Sequence, residues 1–419
     1  MLHVLCGYDY RITNDETNYH SYEGPSLNYS TRMLKENELH VVPNGLLFQN
    51  TIVICKATIQ RGESIPLFLK GDGIREDVFD PFAAAFYLVT RYEEYLPFVA
   101  DRHQRFEASE SVLFKQGLLE RPLVNEWAED LKKTFSKTHA CLDSPTASYN
   151  YKITIDVDQA FAFKHRGIAR NVFALVKNSL RCKIKHLSEQ IKTISNKKKD
   201  PFDSFDYLKD LQQAYGFRLL YFINVGTGTK YDKNLPLTNR HFNALVAEMA
   251  SYAEVGLHPS YYTSTKLQKI IREKKELEQA SKQKITKSRQ HYLKLILPIT
   301  YRHLLTMDMQ EDYSMGYASH PGFRAGTCTP FRWFDLEENK ATPLMIYPIT
   351  YMEGTFTQYL SLSPTETLQR MNKLTRTVKQ HNGCHVSIWH NHTVNDTLNW
   401  KGWKTVFEQS LRNIINPEW

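Results

Sequence analysis

The stretch YKITIDVDQ, residues 151–159, decides the fold, because it joins a strand to two charged residues at its end. Alternation along a strand places Asp156 and Asp158 on one face and Val157 on the other. Two carboxylates roughly 7 Å apart repel each other unless a positive group lies beside them. That group is a metal ion or a basic side chain. A helix cap or a simple salt bridge is the structural alternative.

Further strands follow this one, separated by helical sequence. Strands are predicted at FRLLYFINV (217–225), EVGLHPS (254–260), LMIYPIT (344–350) and CHVSIWHNH (384–392), and helices at 204–215, 241–253 and 364–381. Strands that alternate with helices predict a parallel sheet in an α/β fold. The distinctive polar residues fall at the carboxyl ends of the strands, where TIM-like barrels place their active sites.

The first 145 residues differ from this pattern. They mix short strands with a helical region at 80–98, for which Asp80 is the predicted cap. The polar stretch LDSPTASYN, residues 142–150, marks a boundary. The length of 419 residues also favours two domains. We therefore predict a smaller α/β (α+β) accessory domain over 1–145 and a barrel over 146–419.

The formal net charge of +8 is concentrated in two segments. Residues 164–200 carry a surplus of nine positive charges and residues 266–302 a surplus of eight, so the rest of the chain sums to −9. We expect basic helical insertions near 164–200 and 265–297. Their charge suits solvated helix faces, a surface that meets phosphate-bearing substrates or anionic lipid, or nucleic acid. Solvated faces are favoured, and no nucleic acid is expected.

Membrane and export signals are missing from the sequence. The sequence contains no run of about 18 apolar residues, so we predict no transmembrane helix. The stretch MLHVLCGYDYRITND does not have the basic and apolar regions that are typical of a signal peptide. The six cysteines are scattered without a CxxC pair and are interpreted as free thiols. We expect a cytoplasmic location, with peripheral attachment to the inner membrane face as an option.

Five residues beyond the two aspartates are candidates for chemistry. His258 ends a short strand, His291 lies in the second basic segment, Arg324 lies in a Gly-rich loop, and His390 and His392 end the last strand. Each has a structural alternative, since single histidines are often packed or surface residues and an arginine often braces backbone. The loop NVGTGTKYDKN lacks the spacing of a phosphate-binding loop and is predicted to cover the barrel mouth.

Together and in this order, the residues resemble the polysaccharide deacetylase superfamily, also called NodB-like or carbohydrate esterase 4. The resemblance rests on TIDVD, EVGLHPSY, SRQHYL, YSMGY-x5-FRAG and the WHN stretch. Residues 1–145 resemble the extra N-terminal domain of a bacterial branch, through FDPFAAAFYLVTRYEEY and LERPLVNEW. The fold that the resemblance implies is a distorted TIM-like (β/α) barrel of the NodB type.

The resemblance also implies catalytic roles. Asp156 matches the general base, and Arg324 matches the arginine that holds this base. His390 matches the histidine that protonates the leaving amine, with His392 as its competitor. The reaction would be attack of an activated water on an N-acetyl carbonyl.

A divalent metal ion, with zinc favoured, is the cofactor that the resemblance implies. Asp158 and His258 match two of its ligands, but the histidine expected four residues after the first is Tyr262 here. Two protein ligands are fewer than the three typical of catalytic zinc. We hypothesise that His291 is the third ligand. The fallback ligands are His303 and His320.

The predicted function is metal-dependent removal of N-acetyl groups from an amino sugar in a polysaccharide or its precursor. The expected partner is an N-acetylated glycan or a lipid- or nucleotide-linked sugar precursor of surface polysaccharide, with an anionic membrane surface as a further partner. The alternative is a catalytically altered relative that serves as a carbohydrate-binding scaffold, which the tyrosine at position 262 would favour.

Overall fold

The structure is a computed structural model that describes most of the chain. The described residues are 1–36, 38–62, 65–139, 148–167, 171–172, 184–397 and 400–416. Every helix among them is too short or too polar to cross a lipid bilayer. Cys6, Cys55, Cys328 and Cys384 are buried free thiols, as predicted, whereas Cys141 and Cys182 lie outside the described residues.

The described residues up to 139 form two small sheets with helices around them. The strands are β1 (Leu27–Asn28), β2 (Leu39–His40), β3 (Cys55–Ile59) and β4 (Leu67–Gly71). Strands β1 and β2 pair in parallel, and β3 and β4 pair antiparallel. The helices are α1 (Glu16–Ser21), α2 (Pro81–Val89), α3 (Val112–Lys115) and α4 (Leu123–Thr138), with 3-10 turns at Leu46–Phe48, Tyr92–Tyr95 and Ala108–Glu110.

The residues from 148 onward build one large sheet and its helices. The strands are β5 (Asn150–Val157), β6 (Leu219–Asn224), β7 (Glu254–His258), β8 (Lys287–Ser288), β9 (Glu311–Asp312), β10 (Phe331–Asp335), β11 (Lys340–Ile346), β12 (Tyr351–Met352) and β13 (Cys384–His390). The helices are α5 (Ile184–Ile194), α6 (Phe205–Tyr215), α7 (Arg240–Tyr252), α8 (Leu267–Ser281), α9 (Ile299–Thr306), α10 (Pro364–Gln380) and α11 (Trp403–Ile415). Short helical turns lie at His291–Leu293 and Thr355–Tyr359.

The nine strands pair in the order β10-β11-β9-β8-β7-β6-β5-β13-β12. All neighbours are parallel except the β10–β11 hairpin, so the protein has an α/β fold around a mixed sheet. The last strand, β13, lies beside the first, β5. Among the described residues the two edge strands of the sheet are β10 and β12, and the segment 347–350 connects β11 to β12. The Ile349 amide donates to the Met315 carbonyl on one side, and the Thr350 amide to the Val386 carbonyl on the other.

The central strands are buried along most of their length. All six residues of β6 and the last five of β5 are buried. Continuous burial of this kind is typical of parallel strands that helices cover on both faces. The polar residue of β6, Asn224, lies at the end of the strand, whereas Thr154 of β5 and His385 of β13 are buried within their strands.

The two parts of the chain share an apolar core. Tyr317 and Leu336 from the second part are buried together with side chains of α2 and α4. Next to this core Arg91 and Arg324 are almost completely buried, and the Glu94 carboxylate accepts hydrogen bonds from both. Arg91 also donates to the Arg324 carbonyl. Buried charges require well-matched partners, so this network fixes the contact between the two parts.

The prediction for the helix at 80–98 is confirmed at its start and wrong at its end. The Asp80 side chain accepts hydrogen bonds from the Phe82 and Ala83 amides. The helix ends at Val89, because Arg91 adopts left-handed backbone with φ of 57°. A 3-10 turn follows, which places the charged side chains of this region in the interface between the two parts.

The second basic segment, predicted as a helical insertion near 265–297, is organised differently. Helix α8 ends at Ser281, where Lys282 adopts left-handed backbone with φ of 57°, and strand β8 follows. Helix α8 is thus the connection between the parallel strands β7 and β8. In the first basic segment α5 is described, whereas 173–183 and most of the predicted boundary at 142–150 lie outside the described residues.

Candidate metal centre

Five predicted site residues lie at the carboxyl ends of parallel strands. Asp156 and Asp158 lie at the end of β5, His258 ends β7, His291 follows β8, and His390 ends β13. Ligand sites in parallel α/β sheets form at this edge, because all strands present their carboxyl ends there. The fold therefore brings residues from four separate segments of the chain to one place.

Asp158, His258 and His291 form a group whose ligand atoms all lie within 4.8 Å of one another. The Asp158 Oδ1 atom lies 3.2 Å from His258 Nε2 and 3.4 Å from His291 Nε2. This oxygen is buried and accepts no hydrogen bond from the described residues. A cation held by the three atoms would offset the free-energy cost of burying this oxygen without a hydrogen bond. One carboxylate oxygen and two imidazole nitrogens are ligands that Zn²⁺ takes in catalytic sites, so the group fits a divalent metal ion.

Both histidines are turned toward Asp158 by a partner on the other ring nitrogen. His258 Nδ1 lies 2.5 Å from the Arg289 carbonyl oxygen, and His291 Nδ1 lies 2.9 Å from Asp232 Oδ1. Partners of this kind fix the orientation and tautomer of a metal-binding histidine. Burial alone would raise the pKa of Asp232, but the hydrogen bonds it accepts, first from His291, hold this pKa below its usual range.

The charges of the group are strongly coupled. Burial alone would lower the pKa of His291, but the carboxylates of Asp158 and Asp232 raise it to about 9. Burial would raise the pKa of Asp158, yet the neighbouring imidazoles, His291 first, hold it well below its usual range. A metal ion would therefore compete with a proton for His291, and metal affinity should fall as the pH decreases.

Asp156 lies beside the metal group. It is only 3% exposed, and its Oδ2 atom lies 3.8 Å from His258 Nε2. Its Oδ1 atom accepts a hydrogen bond of 2.7 Å from Nη1 of Arg289, which is fully buried. The same nitrogen donates to Thr154 Oγ1 at 2.6 Å, and Nε donates to the Tyr313 carbonyl at 2.9 Å. One oxygen of Asp156 is thus anchored while the other faces the metal group.

Arg324 lies elsewhere, and the prediction that it holds Asp156 is wrong. Its Nε and Nη2 atoms donate to the Glu94 carboxylate at 2.9 and 2.6 Å in the interface between the two parts of the chain. The arginine on Asp156 is Arg289, which directly follows β8.

His390 approaches the metal group with one nitrogen. Its Nε2 atom lies 3.7 Å from Asp158 Oδ2, and its Nδ1 atom lies 2.7 Å from Glu353 Oε1. The same Glu353 oxygen accepts the His390 amide at 2.9 Å. Burial alone would lower the pKa of His390, but the charges of Glu353 and Asp158 raise it to about 10. These carboxylates therefore favour the protonated form of His390, in which Nε2 carries a proton.

The other candidate histidines lie outside the group. His392 packs beside His390, and burial together with the charge of His390 lowers its pKa to about 4, which does not suit an acid at neutral pH. His303 lies in α9, and His320 lies beside Ser319. Tyr262, at the position of the expected second histidine, is 45% exposed.

The loop after β6, which contains the stretch NVGTGTKYDKN, places Asp232 beside the metal group. Asp232 Oδ2 accepts a hydrogen bond of 2.9 Å from Thr229 Oγ1, and Oδ1 accepts one of 2.9 Å from the Tyr261 amide. A side chain at Gly226 would place Cβ 2.4 Å from Ser260 Cβ. The glycine is thus required for close packing, and the loop presents a carboxylate to His291.

Sequence reasoning missed three site residues. Arg289 lies within the quoted motif SRQHYL but received no role, and neither Asp232 nor Glu353 was considered. All three follow a strand directly or lie in the loop after one: Arg289 follows β8, Asp232 follows β6, and Glu353 follows β12. A search for every charged residue after a predicted strand would have found Asp232 and Glu353 but not Arg289, because the sequence does not predict β8.

Comparison with known proteins gives limited matches. Residues 1–140 match a family of unknown function (DUF7033). No curated protein matches the chain in sequence. The solved structures that resemble it include a proposed polysaccharide deacetylase from Mycobacterium smegmatis, with 11% identity over 65% of this chain and 86% of that chain and a TM-score of 0.43. A polysaccharide deacetylase from Bacillus cereus matches with 8% identity over 64% of this chain and 85% of that chain, with a TM-score of 0.29. Likenesses with TM-scores this low carry no argument about activity.

Proposed function

We propose that this chain is a metal-dependent hydrolase that removes N-acetyl groups from an amino sugar of a polysaccharide or of its precursor. One observation carries the proposal: the carboxylate of Asp156 and the imidazolium of His390 both lie beside three side chains that fit a divalent metal ion. Hydrolysis of an amide needs a base for the water, positive charge for the developing oxyanion and an acid for the leaving amine. The candidate site offers all three.

Asp158, His258 and His291 would hold the metal, and their donor atoms favour zinc. Three protein ligands leave a coordination position for water or substrate, as in catalytic zinc sites. When bound, the metal supplies a water of lowered pKa and a positive charge next to the acetyl oxygen.

Asp156 acts as the general base, because one of its oxygens faces the metal group while Arg289 holds the other. It accepts a proton from the water whose oxygen attacks the carbonyl carbon. His390 donates its Nε2 proton to the amide nitrogen as the carbon–nitrogen bond breaks, which yields acetate and a free amine. Glu353 keeps His390 protonated until that step, through its contact with Nδ1.

We further propose that the sheet is an opened TIM-like barrel of the NodB type, with an accessory domain over 1–145. Support comes from the pairing of the last strand with the first and from a contact across the sheet. Arg289, after β8, hydrogen-bonds Thr154 in β5, three strands away. In a flat sheet the two strands would lie about 14 Å apart, so the sheet must curl strongly. The cytoplasmic location and the lipid- or nucleotide-linked precursor remain predictions.

The proposal is tested by elemental analysis of the purified protein together with acetate release from N-acetylglucosamine oligomers. We expect the unmodified chain to bind about one metal ion and Asp158→Asn to lose it, because a catalytic zinc site needs its three protein ligands. Asp156→Asn should keep the metal but release acetate about 10²–10⁴-fold more slowly, the usual contribution of a general base. Asp210→Asn, on the exposed surface of α6, is the matched control and should change neither quantity.

Full acetate release by Asp158→Asn would contradict the proposal. A chain that binds no metal and releases no acetate, yet binds the oligomers, would instead be the carbohydrate-binding scaffold.

A further inference from the structure

We propose that the hairpin at residues 100–106, in the first part of the chain, completes the metal centre by fixing the loops that hold His291. The inference rests on the proposed function, because it concerns the same metal site. The hairpin lies within residues 1–140, which match a family of unknown function. The inference therefore assigns these residues a role at the metal site.

The hairpin is braced by hydrogen bonds between its own residues. Ala100 pairs with Phe106 across it. The Asp101 carboxylate accepts hydrogen bonds of 2.8 Å from the His103 and Arg105 amides, and further bonds of 3.0 and 2.8 Å from the Arg105 guanidinium. His103 and Arg105 are only 4% and 5% exposed, because both side chains also contact the second part of the chain.

His291 needs support from outside the sheet. The strand that precedes it, β8, has only two residues; both pair with β9, and Ser288 also pairs with Leu257 of β7. The two residues after it, Tyr292 and Leu293, have φ of 61° and 51°. This left-handed conformation is unfavourable for residues with a side chain. The left-handed turn directly after His291 therefore needs partners that stabilise it.

Arg105 provides the first support. Its Nη1 atom donates a hydrogen bond of 2.6 Å to the carbonyl oxygen of Tyr292, the residue directly after His291. The Nη2 atom of the same guanidinium donates to the Asp101 carboxylate, which fixes the direction in which Nη1 points. The left-handed turn after the metal ligand is thereby held by a charged donor from the first part of the chain.

His103 provides the second support, through a chain of hydrogen bonds. Its Nδ1 atom lies 2.8 Å from the Tyr261 hydroxyl. The Tyr261 amide donates to Asp232 Oδ1 at 2.9 Å, and this oxygen lies 2.9 Å from His291 Nδ1. The hairpin thus contacts both the loop that carries the ligand and the loop that packs on the ligand's partner.

The tip of the hairpin also fills the space between these loops. The His103 ring packs against the rings of Tyr231, Tyr261 and Tyr292, at centroid distances of 5.8, 5.7 and 5.2 Å. Close packing restricts all three loops at once. Pre-organised ligands lose less conformational freedom on metal binding, so affinity for the metal should depend on the hairpin.

The test measures the dissociation constants of Zn²⁺ and Co²⁺ for the metal-free full-length chain and for its variants. We expect Arg105→Ala to weaken binding about 10- to 100-fold, as loss of outer partners of metal ligands does, and to alter the visible Co²⁺ spectrum. Tyr261→Phe, which removes only the hydroxyl, should weaken binding roughly 3- to 10-fold, the worth of one hydrogen bond. Arg105→Lys should recover part of the loss. Arg121→Ala, which breaks a half-exposed ion pair with Glu126, is the control and should bind metal normally.

Unchanged metal affinity in a folded Arg105→Ala chain would overturn the inference. If that variant does not fold, unchanged affinity in Tyr261→Phe would overturn it equally. If the unmodified chain binds neither ion, the proposed function fails and the inference fails with it. Normal binding by the unmodified chain and by all hairpin variants would defeat the inference alone.

Discussion

Replacing the buried Arg289 with methionine should lower the free energy of unfolding by about 3–5 kcal/mol, the cost of removing one partner of a buried ion pair. Arg289 is fully buried, and its guanidinium makes hydrogen bonds of 2.7 Å to Asp156, 2.6 Å to Thr154 and 2.9 Å to the Tyr313 carbonyl. Methionine fills the space of the stem without the charge. The loss therefore arises mainly from the Asp156 carboxylate, which stays buried without its cation.

A double-mutant cycle isolates that contribution. If Asp156 is first changed to asparagine, no buried carboxylate remains that needs a cation. Arg289→Met should then lower the free energy of unfolding by about 2 kcal/mol less than in the unmodified chain, which is within the range of couplings between residues in contact. Arg324→Met is the matched control, because Arg324 is equally buried but pairs with Glu94. Its effect should add to that of Asp156→Asn within about 0.5 kcal/mol.

The assay is urea unfolding of the metal-free proteins at one pH, followed by circular dichroism. Additive effects of Arg289→Met and Asp156→Asn would refute the contact between the two side chains. Coupling of Asp156→Asn with Arg324→Met instead would restore the role that the sequence alone predicted for Arg324.

Three further predictions concern the metal, the acid and stability. His291→Ala should abolish tight metal binding, measured by elemental analysis, whereas His303→Ala should keep it; metal retained by the first variant would exclude that ligand. Glu353→Gln removes the carboxylate that raises the pKa of His390, so the alkaline decline in the pH–rate profile of acetate release should move to lower pH; an unmoved profile would argue against His390 as the acid. His385 is fully buried, and burial first, then a nearby lysine, lowers its pKa from 6.5 to about 3. Between these two pH values only the unfolded chain binds the proton. The free energy of unfolding should therefore fall by about 2 kcal/mol between pH 8 and pH 5. Urea unfolding of His385→Gln should not show this decrease.

Part of the site could be predicted because parallel strands constrain their ends. Once β5, β7 and β13 are recognised, Asp158, His258 and His390 must lie at one edge of the sheet, whatever the loops between them do. The strands themselves are evident from continuous apolar runs. These inferences need only local sequence and one rule of topology.

The partners of these residues could not be predicted in the same way. Arg289 and Arg324 both follow strands, and nothing in the spacing tells which one reaches Asp156. The choice depends on how strongly the sheet curls, since the contact from Arg289 crosses three strands. His291 was predicted as a ligand but placed on a helix, because the two-residue strand β8 is too short to leave a periodic pattern.

The shared core has a consequence for synthesis of the chain. Helices α2 and α4 are made early, but Tyr317 and Leu336, which complete their core, are made much later. At 5–20 residues per second, the delay after α4 is about 10–40 s. Throughout this interval on the ribosome, the apolar faces of both helices lack their final cover and are open to chaperones or to aggregation. The region that is translated first thus cannot reach its finished state until Leu336 has been made.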